Sequence, residues 1–370
     1  MTGGDGIEGL VRSVLVSQGA YSPGKAAETL AREIGVAAED VIKLDANENV
    51  YGCSPRVNRA LAGYPYLNIY PDATQTRIRE LLADYAGIGA EYIVAGNGSD
   101  QLIDFILDLF IEPGDEVINC VPTFAMFGFR TKLHSGTLVE VPRDGDYAVD
   151  VAAVKKAITK RTKLILLATP NNPTGTITPQ KDILELVDTG MPVLVDEAYV
   201  EFSGETVTRL VSQYKNMMVM RTFSKWAGLA GVRIGYGIFP PRIAQYLMTI
   251  KLPYNVNAAA LVAVEESLKD LDYLLGNVKA IVAERERLFE ELKKLAFLKP
   301  FPSKANFVFC AVLKGKASEV QRELERKGIL VRYFDLPLLR NSLRISVGRP
   351  EHTDAVIKAL REIGDGIDEK

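Results

Sequence analysis

Between about residue 74 and residue 250, short apolar runs alternate with amphipathic stretches, and this alternation narrows the possible folds more than any other property of the chain. The apolar runs lie at 92–95, 116–120, 137–141, 164–168, 193–195, 217–220 and 232–238, bounded by turn residues. They are too short for buried helices and rich in Val, Ile and Leu, so they read as strands. Apolar residues at helical spacing fill the segments between them, at 75–86, 99–110, 124–134, 150–159, 180–188 and 241–250. A strand that is apolar at consecutive positions is buried on both faces. The pattern therefore predicts an α/β fold, with a mostly parallel seven-stranded sheet between two layers of helices.

Outside this region the pattern changes. Residues 25–34 read as a helix, and a long charge-rich helical pattern runs over about 271–295, followed by Pro300 and Pro302. Strand-like runs at 306–312, 329–333 and 343–347, a helix at 317–327 and a final helix complete a smaller α+β unit. The expected division is an N-terminal arm and part of the small domain over 1–49, a large domain over 50–275 and a small C-terminal domain over 276–370. The chain contains no internal repeat and no low-complexity segment.

Composition excludes several functions. With 44 basic and 47 acidic residues the net charge is −3, which argues against nucleic acid or an anionic membrane surface as the main partner. No run reaches the roughly 18 apolar residues of a membrane-spanning helix. The first residues lack a basic region followed by an apolar one, so no secretory signal is expected and a cytoplasmic location is. Cys53, Cys120 and Cys310 are scattered and odd in number, as suits a reducing compartment. His134 and His352 are the only histidines, so no metal site is expected and a catalytic base would be lysine, tyrosine or a carboxylate.

Four segments carry the chemistry. Gly96-Asn-Gly-Ser-Asp-Gln101 follows a strand and opens a helix, so the backbone N–H groups around Gly98, Ser99 and Asp100 could face an anion; an ordinary glycine turn with Ser99 as N-cap would look the same. Pro170-Asn-Asn-Pro-Thr-Gly175 follows another strand and places Asn172 at the edge of the sheet where α/β proteins bind ligands, or it is a plain turn. Val193-Leu-Val-Asp-Glu-Ala-Tyr199 sets Asp196 directly after a buried strand, where its charge needs a partner such as a protonated ring nitrogen, a helix end or a salt bridge. Thr222-Phe-Ser-Lys-Trp-Ala-Gly-Leu-Ala-Gly-Val-Arg233 sets Lys225 among small and apolar residues, the environment that lowers an amine pKa, with Ser224 and Arg233 as further donors.

Together these segments resemble those of fold-type-I aminotransferases dependent on pyridoxal 5′-phosphate, and most of all the branch that acts on histidinol phosphate. The resemblance implies that Lys225 carries the cofactor as a Schiff base and that Asp196 and Tyr199 serve catalysis from the Asp-Glu-Ala-Tyr motif. It implies ring contacts from Asn172 and Phe124, the latter in Pro122-Thr-Phe-Ala-Met-Phe127, and a phosphate cup of Gly98, Ser99, Asp100, Thr222, Ser224 and Arg233. Tyr70, in Tyr70-Pro-Asp72, matches a tyrosine that reaches the neighbouring subunit's cofactor, which implies a homodimer. The likeness extends through Tyr21-Ser-Pro-Gly-Lys25, Lys43-Leu-Asp-Ala-Asn-Glu-Asn49, Pro253-Tyr-Asn-Val-Asn257, Gly328-Ile-Leu-Val-Arg332 and Leu343-Arg-Ile-Ser-Val-Gly348. Val50, Gln101 and Tyr333 depart from the usual residues at their positions.

By the same resemblance, the partners are a small-molecule amino donor and a 2-oxo acid. Arg344 would hold the donor's anionic group, with Arg332, Tyr21 and Asn172 beside it; from the residues alone, both arginines read as surface ion pairs. Aromatic amino acids and threonine phosphate are the other donors such a chain could take. A P-loop nucleotide hydrolase is the rival from another class, because Gly19-Ala-Tyr-Ser-Pro-Gly-Lys-Ala26 nearly spells a phosphate loop, but Ala26 lacks the hydroxyl that would bind magnesium.

Overall fold

The computed structural model describes residues 6–18 and 24–368. Its strands are, in chain order, β1 (Ile42–Leu44), β2 (Ile93–Gly96), β3 (Glu116–Val121), β4 (Thr137–Pro142), β5 (Thr162–Ala168) and β6 (Val193–Asp196). There follow β7 (Met217–Thr222), β8 (Gly235–Ile238), β9 (Leu298–Phe301), β10 (Phe307–Val312), β11 (Ile329–Phe334) and β12 (Ser342–Ser346). Seven of them form one sheet in the order β2-β8-β7-β6-β5-β3-β4. Within it β8 runs antiparallel to both neighbours, and the other pairings are parallel.

Successive residues of the central strands enter two different cores, as a pleated strand buried on both sides requires. Val193 and Val195 of β6, Ile165 and Leu167 of β5 and Met217 and Val219 of β7 pack on one face of the sheet. Leu194, Leu164, Leu166, Met218 and Met220 pack on the other, against Leu102, Ile106 and Phe127 from covering helices. The expected sheet is therefore present, with one boundary corrected. Residues 232–234 are not strand: Ala230–Val232 is a 3-10 turn and Arg233 is left-handed at φ +60°, so β8 begins only at Gly235. The glycines and the turn break the pairing there, although the apolar run continues.

A second sheet, in the order β1-β11-β12-β10-β9, joins a strand from near the start of the chain to four from its last quarter. β1 pairs with β11 in parallel, Ile42 opposite Ile329, and the other pairings are antiparallel. The helix Leu271–Lys293 runs beside this sheet and buries Leu274, Val278, Ile281, Leu288 and Leu292 in the core it shares with the larger sheet. Among the described residues no helix is long and apolar enough to cross a membrane. Residues 13–18, ahead of the would-be phosphate loop, are helix, and the Lys25 amine is held by Glu33 and Glu325 at 2.8 Å each. That loop thus has neither its strand nor its lysine available.

Candidate active site

The ends of β2, β5, β6 and β7 lie along one edge of the large sheet, because these strands run in the same direction. That edge collects Gly98–Asp100, Asn172, Asp196 and Thr222–Lys225, from parts of the sequence far apart. Asp196 ends β6 and is 6% exposed. Among the described residues its carboxylate accepts a hydrogen bond from the Ala198 N–H at 3.0 Å, and no side-chain cation pairs with it. Burial pushes its pKa up to about 7, with the Asp100 and Glu197 carboxylates adding to the rise. Behind it Glu197 is tied to Arg221 of β7 at 2.9 and 2.8 Å, which locks β6 and β7 together where both enter the site.

Lys225 is half-buried, and its Nζ donates to the Ala46 carbonyl oxygen at 3.1 Å. Although solvent still reaches part of the side chain, the protein atoms around the amine push its pKa down to about 8. Burial is the main cause, and the Arg344 and Arg233 guanidiniums add to it. An amine with this pKa is about half neutral at pH 8 and largely neutral by about pH 9. Tyr199 is buried, sits edge-on to Phe307 with ring centroids 5.3 Å apart, and accepts a hydrogen bond from Asn47 Nδ2 at 2.9 Å.

The helix Ser99–Phe110 begins at the same edge. Gly98 is its N-cap with φ +79°, and no side chain caps it, so Ser99 does not play the capping part that its residue type allowed. A side chain at Gly98 would place its Cβ 2.8 Å from Arg233 Nη2, and one at Gly235 would place its Cβ 2.4 Å from the Ser99 backbone nitrogen. Both positions need glycine for the strand and the guanidinium to approach the helix start this closely. Thr222 Oγ1 and Ser224 Oγ, 3.0 Å apart, lie at the end of β7 on the same sheet edge. Arg233 is half-exposed and paired with Asp100 at 3.1 Å. The donor set and the uncapped helix start suit a phosphate.

On the opposite side stand the arginines of the second sheet. Arg332 of β11 and Arg344 of β12 are directly opposite each other, and the Phe334 ring lies 5.7 Å from both guanidiniums. Arg344 is buried; it donates to Asn172 Oδ1 at 2.6 Å and to the Asp45 carbonyl at 2.5 Å. Like charges facing across adjacent strands are unfavourable unless an anion joins them. Arg344, being buried, is not the surface residue that its type suggested. Phe124 precedes the helix Ala125–Leu133 and packs edge-on against Phe127, and its loop is held by Asn171, whose Oδ1 accepts from Thr123 and whose Nδ2 donates to the Pro122 carbonyl. Sequence reasoning passed over Asn171, Phe334 and the carbonyls of Asp45 and Ala46; their spacing in the chain gives no sign of the contacts.

One residue is not brought to this cluster. Tyr70 is 78% exposed and stacks on Tyr254 in a separate open groove with Leu67, Ile69 and Asn257. Tyr21 lies outside the described residues.

The family model for aminotransferase class I and II matches residues 39–362. The chain belongs to this aminotransferase family. The chain is 56% identical over 335 residues to a histidinol-phosphate aminotransferase of Dehalococcoides mccartyi, an alignment covering 90% of this chain and 94% of that one. With the chloroplastic histidinol-phosphate aminotransferase of Nicotiana tabacum the identity is 42%, over 96% and 86% of the two chains. The crystal structure of the Sinorhizobium meliloti histidinol-phosphate aminotransferase in complex with pyridoxal 5′-phosphate matches with a TM-score of 0.85 at 27% identity, covering 94% and 96% of the chains. The cofactor of this aminotransferase is pyridoxal 5′-phosphate. The site fits it: a lysine of lowered pKa, a buried carboxylate that lacks a cation and a phosphate cradle stand at one edge of one sheet.

The aminotransferase should therefore capture cofactor faster as pH rises. Only a neutral amine can add to an aldehyde, and the neutral fraction at Lys225, the residue that would take the cofactor, grows as pH climbs towards about 8. Stopped-flow visible absorption on the apoenzyme should show a rate rising about tenfold per pH unit below that value and levelling above it. A rate independent of pH across this range contradicts the lowered pKa.

Proposed function

We propose that the enzyme moves the amino group of L-histidinol phosphate to 2-oxoglutarate, leaving imidazole-acetol phosphate and glutamate, as a step of histidine biosynthesis. The observation that carries this reading is the opposed Arg332 and Arg344 guanidiniums, which together suit the two charges of a phosphate ester better than the single charge of a carboxylate. The names of relatives at 40–58% identity support it. Tyr21 would join the arginines at the phosphate.

Bound pyridoxal phosphate supplies an aldehyde for amines and a ring that withdraws electrons from the carbon beside the nitrogen. Lys225 would bond to it through the neutral Nζ and, once replaced by the donor's amine, take the proton from the donor's amino-bearing carbon. Asp196 would hold the proton on the pyridine nitrogen, exchanging its unfavourable burial for an ion pair. Tyr199 and Asn172 would bond the ring oxygen, with Phe124 against the ring face. The N–H groups of Gly98, Ser99 and Asp100, with Thr222, Ser224 and Arg233, would hold the cofactor phosphate.

The large and small sheets would act as two units, divided near residues 50 and 276. A second copy of the chain would cover the exposed Leu67, Ile69, Tyr70, Leu252 and Tyr254 and receive Tyr70 at its own cofactor phosphate. Steady-state comparison of histidinol phosphate, phenylalanine and threonine phosphate tests the substrate. Histidinol phosphate should give the highest kcat/KM, by at least about tenfold, since a pocket built for a phosphate rejects donors that leave it unpaired. Should it be the poorest of the three, the assignment is wrong; carbon dioxide release from threonine phosphate would place the enzyme among decarboxylases instead.

A further inference from the structure

Asn47 is 1% exposed and holds a left-handed backbone, φ +55°, in the segment that follows β1. Each of its polar groups is engaged. Its N–H donates to Ser346 Oγ at 2.9 Å, and its carbonyl accepts from Asn306 Nδ2 at 2.9 Å. Its side-chain Oδ1 accepts from Ser346 Oγ at 2.8 Å, and its Nδ2 donates to the Tyr199 hydroxyl oxygen at 2.9 Å. Ser346 ends β12 of the second sheet, whereas Tyr199 follows β6 of the first. One side chain thus bridges the two sheets, and it does so at the phenol assigned to the cofactor ring.

The direction of each bond follows from the groups present. Ser346 Oγ takes the Asn47 backbone N–H, so its single proton goes to Oδ1. That turns the NH2 end of the amide towards Tyr199. An amide NH2 can only donate, so the Tyr199 oxygen accepts there and its own proton is directed to a different acceptor.

We infer that Asn47 is a positioning residue, oriented by Ser346, that fixes the Tyr199 hydroxyl as a donor towards the cofactor ring oxygen. This rests on the proposed role of Tyr199 and deepens it. A proton donated to the ring oxygen draws off electron density that would otherwise hold the proton of the neighbouring lysine–cofactor nitrogen. The bond therefore lowers the pH at which the resting chromophore loses that proton. Asparagine suits the place twice over, since it tolerates the left-handed backbone and its amide supplies a donor and an acceptor together.

The test is a pH titration of the visible absorption of the holoenzyme, a property read without turnover. Tyr199→Phe should raise the midpoint by about one unit or more, the worth of a hydrogen bond to a charged group. Asn47→Asp replaces the donor by an acceptor that claims the Tyr199 proton, and Asn47→Gly removes the amide while keeping the backbone conformation. Both should raise the midpoint by most of the Tyr199→Phe shift. Ser346→Ala should give a smaller rise in the same direction.

Midpoints within about 0.2 unit of the parent in the Asn47 variants, beside a shifted Tyr199→Phe, overturn the inference and leave the role of Tyr199 intact. An unshifted Tyr199→Phe removes that role, and the inference falls with it. Should neither Asn47 variant fold, Ser346→Ala decides alone: a raised midpoint supports the relay and a parental one overturns it.

Discussion

Lys225→Ala is expected to lose turnover by about a thousandfold or more and to lose the yellow, borohydride-reducible chromophore altogether. On the proposed mechanism two functions would leave with one amine, the covalent hold on the cofactor and the base that moves the proton. General base catalysis alone accounts for about a hundredfold to ten-thousandfold. The fold should survive. Among the described residues the Lys225 amine bonds to a single backbone carbonyl, that of Ala46, and the side chain is not part of the apolar core. Circular dichroism and thermal melting of the apoprotein should match the parent. A variant that still gives a chromophore fixed by borohydride would remove Lys225 from its assigned place.

Asp196→Asn is expected to separate activity from stability. The amide has the same shape but cannot hold a proton on a ring nitrogen, so kcat should fall by about a hundredfold to a thousandfold, the usual cost of losing one preorganised electrostatic partner. Cofactor should still be captured, because Lys225 is untouched. Stability of the apoprotein should move the other way at neutral and alkaline pH. The carboxyl pKa is raised in the folded state from 3.8 to about 7. Its contribution to stability is therefore fully present below 3.8 and is lost as pH climbs through about 7. An amide has no such dependence. Urea unfolding of the two apoproteins at pH 5 and at about pH 8.5 should show a loss in the parent that the variant lacks. If both lose stability alike, the buried carboxylate is not what titrates.

How much of this could be read from the sequence follows from which contacts are local. The strands were legible because burial on both faces leaves runs such as Leu164–Leu167 that no helix of that length would show. β8 was drawn too long, since the apolar pattern around Val232 and Ile234 gives no sign of the left-handed turn at Arg233. The placement of Gly98–Asp100 and Asp196 at strand ends was legible because each lies in a short motif directly after an apolar run. Long-range partners were not. The facing of Arg332 and Arg344 depends on the register between β11 and β12, and the bond from Asn47 to Tyr199 spans 152 positions. Nothing within a few residues of any of these hints at the other.

The smaller sheet has a consequence for how the chain is made. β1 leaves the ribosome early, yet its partner β11 is among the last segments synthesised, with Ile42 waiting for Ile329. The seven-stranded sheet has all its strands by Ile238 and can form its hydrogen bonds well before β11 is made. Asp45, Ala46 and Asn47 thus acquire their places only when translation is nearly over. The half that would grip the cofactor can assemble first, and the half that would select the substrate closes over it at the end of synthesis.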